Sequence, residues 1–155
     1  MEEDNVWVAA GDGDLNRTLQ FLGTGPVDVT DENGFTPLMA ASQYGRLSVV
    51  QELLNRGADP NFKDSEGNTA VHHCDYADCL AALVDKGGLV SIFNTEGQTP
   101  LDMKREDLQD AENEFSDDED QMDERGDSTA KRLSDLVSLL LQCAAQEETR
   151  KRTRQ

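Results

Sequence analysis

Between residues 38 and 54 the apolar side chains recur at helical spacing, in two short runs. Leu38 and Ala41 precede a Tyr44-Gly45 break, and Leu47, Val50, Leu53 and Leu54 form a second stripe. That spacing predicts two short helices, each with one buried side, joined by a tight connection. Thr36 stands where a hydroxyl caps a helix, and Pro37 follows at the first helical position, where a missing N–H costs nothing. Gly57 comes directly after the second run, at the place of a glycine terminator. A longer amphipathic run lies near the C-terminus. From Ser128 to Ala145 the side chains of Leu133, Leu136, Val137, Leu140 and Ala144 share one helical face, with Ser128 or Thr129 as the cap.

The pattern around the first two runs repeats. D-E-N-G-F-T-P from Asp31 recurs as D-S-E-G-N-T-A from Asp64 and as N-T-E-G-Q-T-P from Asn94. The turn glycines Gly34, Gly67 and Gly97 are therefore 33 and 30 residues apart. Glycine there supplies the positive φ that a tight hairpin turn requires. A second landmark, L-L-N-R-G-A-D-P-N from Leu53, returns as L-V-D-K-G-G from Leu83, with a degenerate copy from Phe21. One unit is thus a turn, a short helix, a tight connection, a second helix and a loop. The third unit departs from this plan. Thr69 to Gly87 spans 18 positions where Thr36 to Gly57 spans 21, so three residues are missing around Cys74 to Asp78. A shortened first helix and an irregular notch are expected, and Ala70 replaces the helix-starting proline.

The unit from Asp31 to Lys63 resembles the ankyrin repeat. It has the family's length of 33, with T-P-L-x-x-A, a mid-unit Gly45, V-V-x-x-L-L and G-A-D-x-N in order. W-V-A-A-x-D-G, T-x-x-H-H-C and E-G-Q-T-P together look like small acidic ankyrin proteins of the fungal type, a likeness that carries no function with it. The resemblance implies an all-α solenoid of about four units with short β-hairpin-like turns. Residues 1–105 form the stack: 5–30 an N-terminal cap unit, 31–63 a full unit, 64–93 the shortened unit and 94–105 the start of the last. The helix of 128–149 is read as the missing second helix of that last unit, because a stack must cover its final apolar face. The rival is a free helix that docks on a partner.

Charge changes the picture in the middle of the chain. The net charge of −18 is unevenly spread. Residues 106–127 carry 12 acidic and 1 basic side chain, while residues 128–155 carry 6 basic and 3 acidic ones. Self-repulsion and the shortage of apolar residues predict an acidic disordered segment over 106–127, with a basic tail at 150–155. Such acidity argues against a nucleic-acid binder. No apolar stretch approaches the ~20 residues of a membrane span. Three cysteines with no basic, apolar leader read as reduced thiols, so a location in the cytoplasm, and also in the nucleus, is expected; the chain is expected to be a monomer.

Candidate chemistry is sparse. His72, His73, Cys74 and Cys79 are zinc-type donors. However, three consecutive residues on one short helix point in three directions, and the resemblance places His72 at a position where the imidazole bonds neighbouring turns. No metal and no cofactor is expected. There is no nucleophile elbow, P-loop or dinucleotide fingerprint, so no catalytic residue is assigned. Ser116 in F-S-D-D-E-D fits an acidophilic kinase site. Arg150 to Arg154 reads either as an import signal or as a solvated complement to the helix end.

The resemblance implies contact residues at the hairpin tips and along the inner helices. Carried over position by position, these are Phe35, Asn68 and Gln98 at the tips, and Ala40, Gln43, Tyr44, His73 and Met103 on the helices. Trp7 is assigned to the core of the N-terminal cap. Asp117, Asp118, Glu119 and Asp120 are the acidic segment that would screen a basic surface. The expected function is non-enzymatic binding of a basic protein, as an escort or chaperone of a ribosomal protein or histone would do. The alternatives are an adaptor or inhibitor subunit that docks through the concave face and, more distantly, a zinc-dependent enzyme or sensor.

Overall fold

The computed structural model describes residues 4–113 and 129–154. Among them are eight α-helices and no strand: α1 (Val6–Asp12), α2 (Leu15–Leu22), α3 (Pro37–Gln43), α4 (Leu47–Asn55), α5 (Ala70–His73), α6 (Ala77–Asp85), α7 (Pro100–Asn113) and α8 (Thr129–Thr153). They form two layers. The odd-numbered helices pack in series as an inner row, and the even-numbered helices as an outer row. In the first three units the outer helix is followed by a loop that returns to the next hairpin turn. The core lies between the rows, with Leu38, Met39, Val49, Val50, Leu53, Val71, Leu80, Leu83, Leu136 and Leu140 all buried.

The turns carry the repeat from unit to unit. Gly34 adopts φ +75, and a Cβ there would stand 3.1 Å from the Asp64 Cα of the next turn. Glycine is therefore required twice, for the backbone angle and for the close approach. The Ser65 N–H donates to the Asn33 carbonyl at 2.8 Å, and the Thr95 N–H donates to the Glu66 carbonyl at 2.9 Å. The tips are thus chained through their backbones, although no strand forms. Helix starts follow the sequence signals. The Met39 N–H donates to Thr36 Oγ1 at 3.3 Å, and the Thr99 N–H donates to Asp102 Oδ2 at 2.9 Å.

The third unit is short where its residues are missing. Helix α5 has four residues and ends as Cys74 turns to an extended conformation. The ring of Tyr76 occupies the gap and lies against Gly45 of the preceding unit. Tyr76 also receives the Arg132 guanidinium of α8, whose central carbon is 4.8 Å from the ring centroid. Beside it, the ammonium of Lys104 on α7 reaches Asp75 Oδ1 at 2.5 Å, with the lysine buried. The notch is therefore filled, and the filling residues join the second, third and fourth units.

Two boundaries differ from the sequence expectation. Residues 106–113, expected in the acidic linker, continue α7 as helix. Glu106, Asp107 and Asp110 face solvent, and Leu108 and Ala111 are half-buried. The basic residues Arg150, Lys151 and Arg152 belong to the last turn of α8 and do not form a separate tail. Cations there complement the partial negative charge of a helix C-terminus.

Helix α8 packs on α6 and α7, burying Leu133, Leu136, Leu140 and Cys143. Its Glu147 carboxylate accepts from the Val90 N–H and from the Ser91 hydroxyl, each at 2.7 Å. That clamp ties the helix to the loop after α6. No helix among the described residues is long and apolar enough to cross a membrane.

Candidate partner-binding face

The inner helices and the hairpin tips form one continuous face. The first residue of each hairpin builds the turn. Asp31 Oδ1 accepts from the Asn33 and Phe35 N–H groups, Asp64 Oδ1 from those of Glu66 and Asn68, and Asn94 Oδ1 from those of Glu96 and Gln98. The next charges along are exposed. Glu32, Glu66 and Glu96 stand at successive tips, followed by Asp102 and Glu106 on α7. The Thr99 N–H and hydroxyl hold the Asp102 carboxyl below the usual carboxylate range.

At the first two units the face becomes aromatic. An open cleft of about 560 Å³ has Trp7 on α1, Phe35 at the hairpin and Tyr44 at the end of α3 among its walls. The Trp7 indole N–H donates to the Phe35 carbonyl at 2.7 Å, which fixes the indole against the hairpin. Tyr44 is 56% exposed. Its ring approaches α1 where Gly11 has no side chain; a Cβ there would lie 3.1 Å from the tyrosine Cδ2. Arg46 Nε donates to the Gly11 carbonyl at 2.8 Å. Phe35 in turn meets the His73 ring edge-on, with centroids 5.0 Å apart and planes at 82°. His73 Nε2 lies 2.8 Å from Asp64 Oδ2, so the imidazole is held between the hairpin carboxylate and the Phe35 ring.

The structure thus brings Phe35, Tyr44 and Gln43 to one cleft, with His73 beside it. Gln98 and Met103 lie further along, both half-buried. The Gln98 amide donates to Glu106 at 3.0 Å, and the Met103 sulfur lies 3.8 Å from the Asn94 amide nitrogen. Asn68, expected at an exposed tip, is buried. Its amide donates to Glu66 at 3.3 Å, and its oxygen accepts from Asn94 at 3.1 Å. The next hairpin closes over this position, so its polar groups serve the stack. Trp7, assigned to the core of the N-terminal cap, is half-buried and packs against the core, and it also lines the cleft. Ser116 and Asp117, Asp118, Glu119 and Asp120 lie outside the described residues.

The zinc-type donors are each spoken for. The buried His72 accepts the Thr69 N–H at Nδ1 (3.1 Å) and places Nε2 3.2 Å from the Gln98 carbonyl, which links the third unit to the fourth. Burial holds its pKa below the ordinary value of 6.5. The Cys74 thiol donates to the Tyr76 carbonyl at 3.1 Å, and burial pushes its pKa up to about 12. Cys79 is a buried residue of α6 itself. Among the described residues no three His, Cys, Asp or Glu side chains come together in a way that holds a metal ion.

A two-layer helical solenoid with chained hairpin tips defines a repeat scaffold, a class that offers an extended concave surface. The profile for ankyrin repeats (many copies) matches residues 22–74. An ankyrin repeat-containing protein of Schizosaccharomyces pombe is 35% identical over 83 residues, which is 53% of this chain and 40% of that protein. The human SH3 and multiple ankyrin repeat domains protein 2 is 35% identical over 74 residues, 46% of this chain and 4% of the human protein. The E3 ubiquitin-protein ligase KEG of Arabidopsis thaliana is 37% identical over 67 residues, 40% of this chain and 4% of the ligase. The chain thus matches less than half the length of these curated relatives. Residues 22–74 thus match the ankyrin repeat family, and repeats of this kind indicate a protein–protein interaction module.

Proposed function

We propose that the chain is a non-enzymatic, monomeric module that binds a basic protein segment along its inner face and escorts it. The observation that carries the proposal is the row of exposed glutamates at successive tips, Glu32, Glu66 and Glu96, beside the aromatic cleft. Carboxylates repeated at this interval attract an extended basic segment and orient it. The aromatic side chains supply anchors of the kind that dominate interface energetics. Asp117, Asp118, Glu119 and Asp120 add to the negative field that captures the partner.

A second reading has one observation in its favour. The 56% exposure of Tyr44 suits a partner held chiefly by shape and aromatic contact, as in an adaptor or inhibitor subunit. Salt separates the two readings, since screening weakens the first far more than the second. The test is affinity capture from cell extract with graded salt washes. Wild type is compared with Glu32→Lys/Glu66→Lys/Glu96→Lys, with Tyr44→Ala, and with residues 114–127 replaced by a neutral linker. Circular dichroism checks the fold of each. The escort reading expects a basic protein retained by wild type and lost with salt and with the triple variant. A partner indifferent to both salt and the triple variant overturns it.

A further inference from the structure

The cleft between the first two units has a composition that points to one kind of occupant. Its walls include three aromatic side chains from three separate elements, Trp7, Phe35 and Tyr44, together with the Asp12 carboxylate. Aromatic faces attract a cation through their quadrupole, and a nearby carboxylate adds to that attraction. The surrounding charge has the same sign. Arg17 is the shared partner of Asp4, Asp12 and Asp14, so three carboxylates meet one guanidinium. Glu32 stands exposed in the hairpin that carries Phe35. Arg46 brings a positive charge to the lining, yet its Nε donor is directed to the Gly11 carbonyl at the C-terminal end of α1. Negative charge therefore remains in excess around an aromatic, solvent-open cleft.

We propose that this cleft is a cation–π subsite that takes a lysine side chain of the partner, with the stem along Ala40 and Tyr44 and the ammonium toward Asp12. The proposal rests on the reading of the inner face as the binding face for a basic segment, and it names the anchor of that segment. Gly11 shapes the subsite by letting the Tyr44 ring lie close to α1. The chain's single tryptophan is Trp7, so its indole N–H resonance reports on the cleft without ambiguity.

The test uses the full chain and small probes. n-Butylammonium chloride, which matches a lysine side chain, is titrated at low salt and followed by the Trp7 indole N–H cross-peak. The neutral n-pentanol serves as the control of similar size. The expected result is saturable, millimolar binding of the cation and several-fold weaker binding of the alcohol. Tyr44→Phe keeps the π face and retains binding, whereas Tyr44→Leu keeps the apolar bulk and weakens it about two- to five-fold. Asp12→Asn weakens it by a similar factor and reduces its salt dependence. Equal binding of the alcohol, or no loss in Tyr44→Leu, overturns the proposal in favour of an apolar anchor. No shift with either probe also overturns it. The capture experiment stays independent. If a basic partner is still retained in a salt-sensitive way, only the lysine subsite fails; if the partner is lost as well, the binding face itself was misread.

Discussion

Gly45 is the position at which one added methyl group tests the architecture of the stack. Its φ is +69, and a Cβ there would stand 2.5 Å from Tyr76 Cδ2, 2.7 Å from Cγ and 2.8 Å from Cε2. Alanine in the left-handed region costs about 1–2 kcal/mol. The methyl group must also displace the ring, an overpacking that costs about 1–3 kcal/mol more. Displacement breaks the cation–π contact with Arg132 and its 3.2 Å bond to the Tyr76 hydroxyl. Gly45→Ala is therefore expected to cost about 2–5 kcal/mol, a large share of the ~5–15 kcal/mol that holds a small domain together. In a Tyr76→Ala background only the backbone cost of about 1–2 kcal/mol remains. The assay is urea unfolding of the four proteins of the cycle, followed by circular dichroism and by Trp7 fluorescence. A coupling energy of about 1–3 kcal/mol is expected. If Gly45→Ala costs the same in both backgrounds, Tyr76 does not fill the notch as described and the account of the shortened unit is wrong.

The remaining predictions concern single groups. Because burial holds the folded-state pKa of His72 below its ordinary 6.5, the unfolded chain takes up a proton first as pH falls. Its contribution is thus fully present above pH 6.5 and is lost below it, by at most about 1.4 kcal/mol per pH unit; His72→Gln should remove that part of the pH dependence in denaturant titrations, and an unchanged profile refutes it. Cys74, with its pKa pushed up to about 12, should resist iodoacetamide at pH 8 in the folded protein and react once urea unfolds the chain, as read by peptide mass mapping. Labelling of Cys74 at the rate of a free thiol under native conditions contradicts its burial. Glu147→Ala orphans the Val90 N–H and the Ser91 hydroxyl, at a cost of about 1–3 kcal/mol. Hydrogen exchange should then rise in the second half of α8 and at Val90, with α3 and α4 unaffected; uniform acceleration would mean that the clamp is not local.

Legibility in the sequence varied with the range of the interaction. The hairpin glycines, the threonine caps and the α3–α4 pair obey local rules, since φ, capping and period are decided within a few residues. The shortening of α5 was legible as a count of missing positions. What filled the gap was not, because the contact between Gly45 and Tyr76 joins residues of different units and depends on stacking. Residues 106–113 were misjudged for a related reason. Their charge favours solvent, and the contact of α7 with α8 carries the helix through Asn113. Asn68 shows the same limit on the binding face. A tip position in the repeat is exposed only until the next hairpin covers it.

The last repeat is delivered in two parts. Its inner helix, α7, ends at Asn113 and its outer helix, α8, begins at Thr129, where earlier units connect the two with a tight turn. Closing a chain between fixed ends becomes costlier only slowly with length, by about 0.6 kcal/mol for each doubling. Lengthening the chain between these two fixed ends is therefore expected to cost the stack little. A reporter domain with neighbouring termini can be spliced there, which makes the terminal repeat a natural place to build a sensor of partner binding.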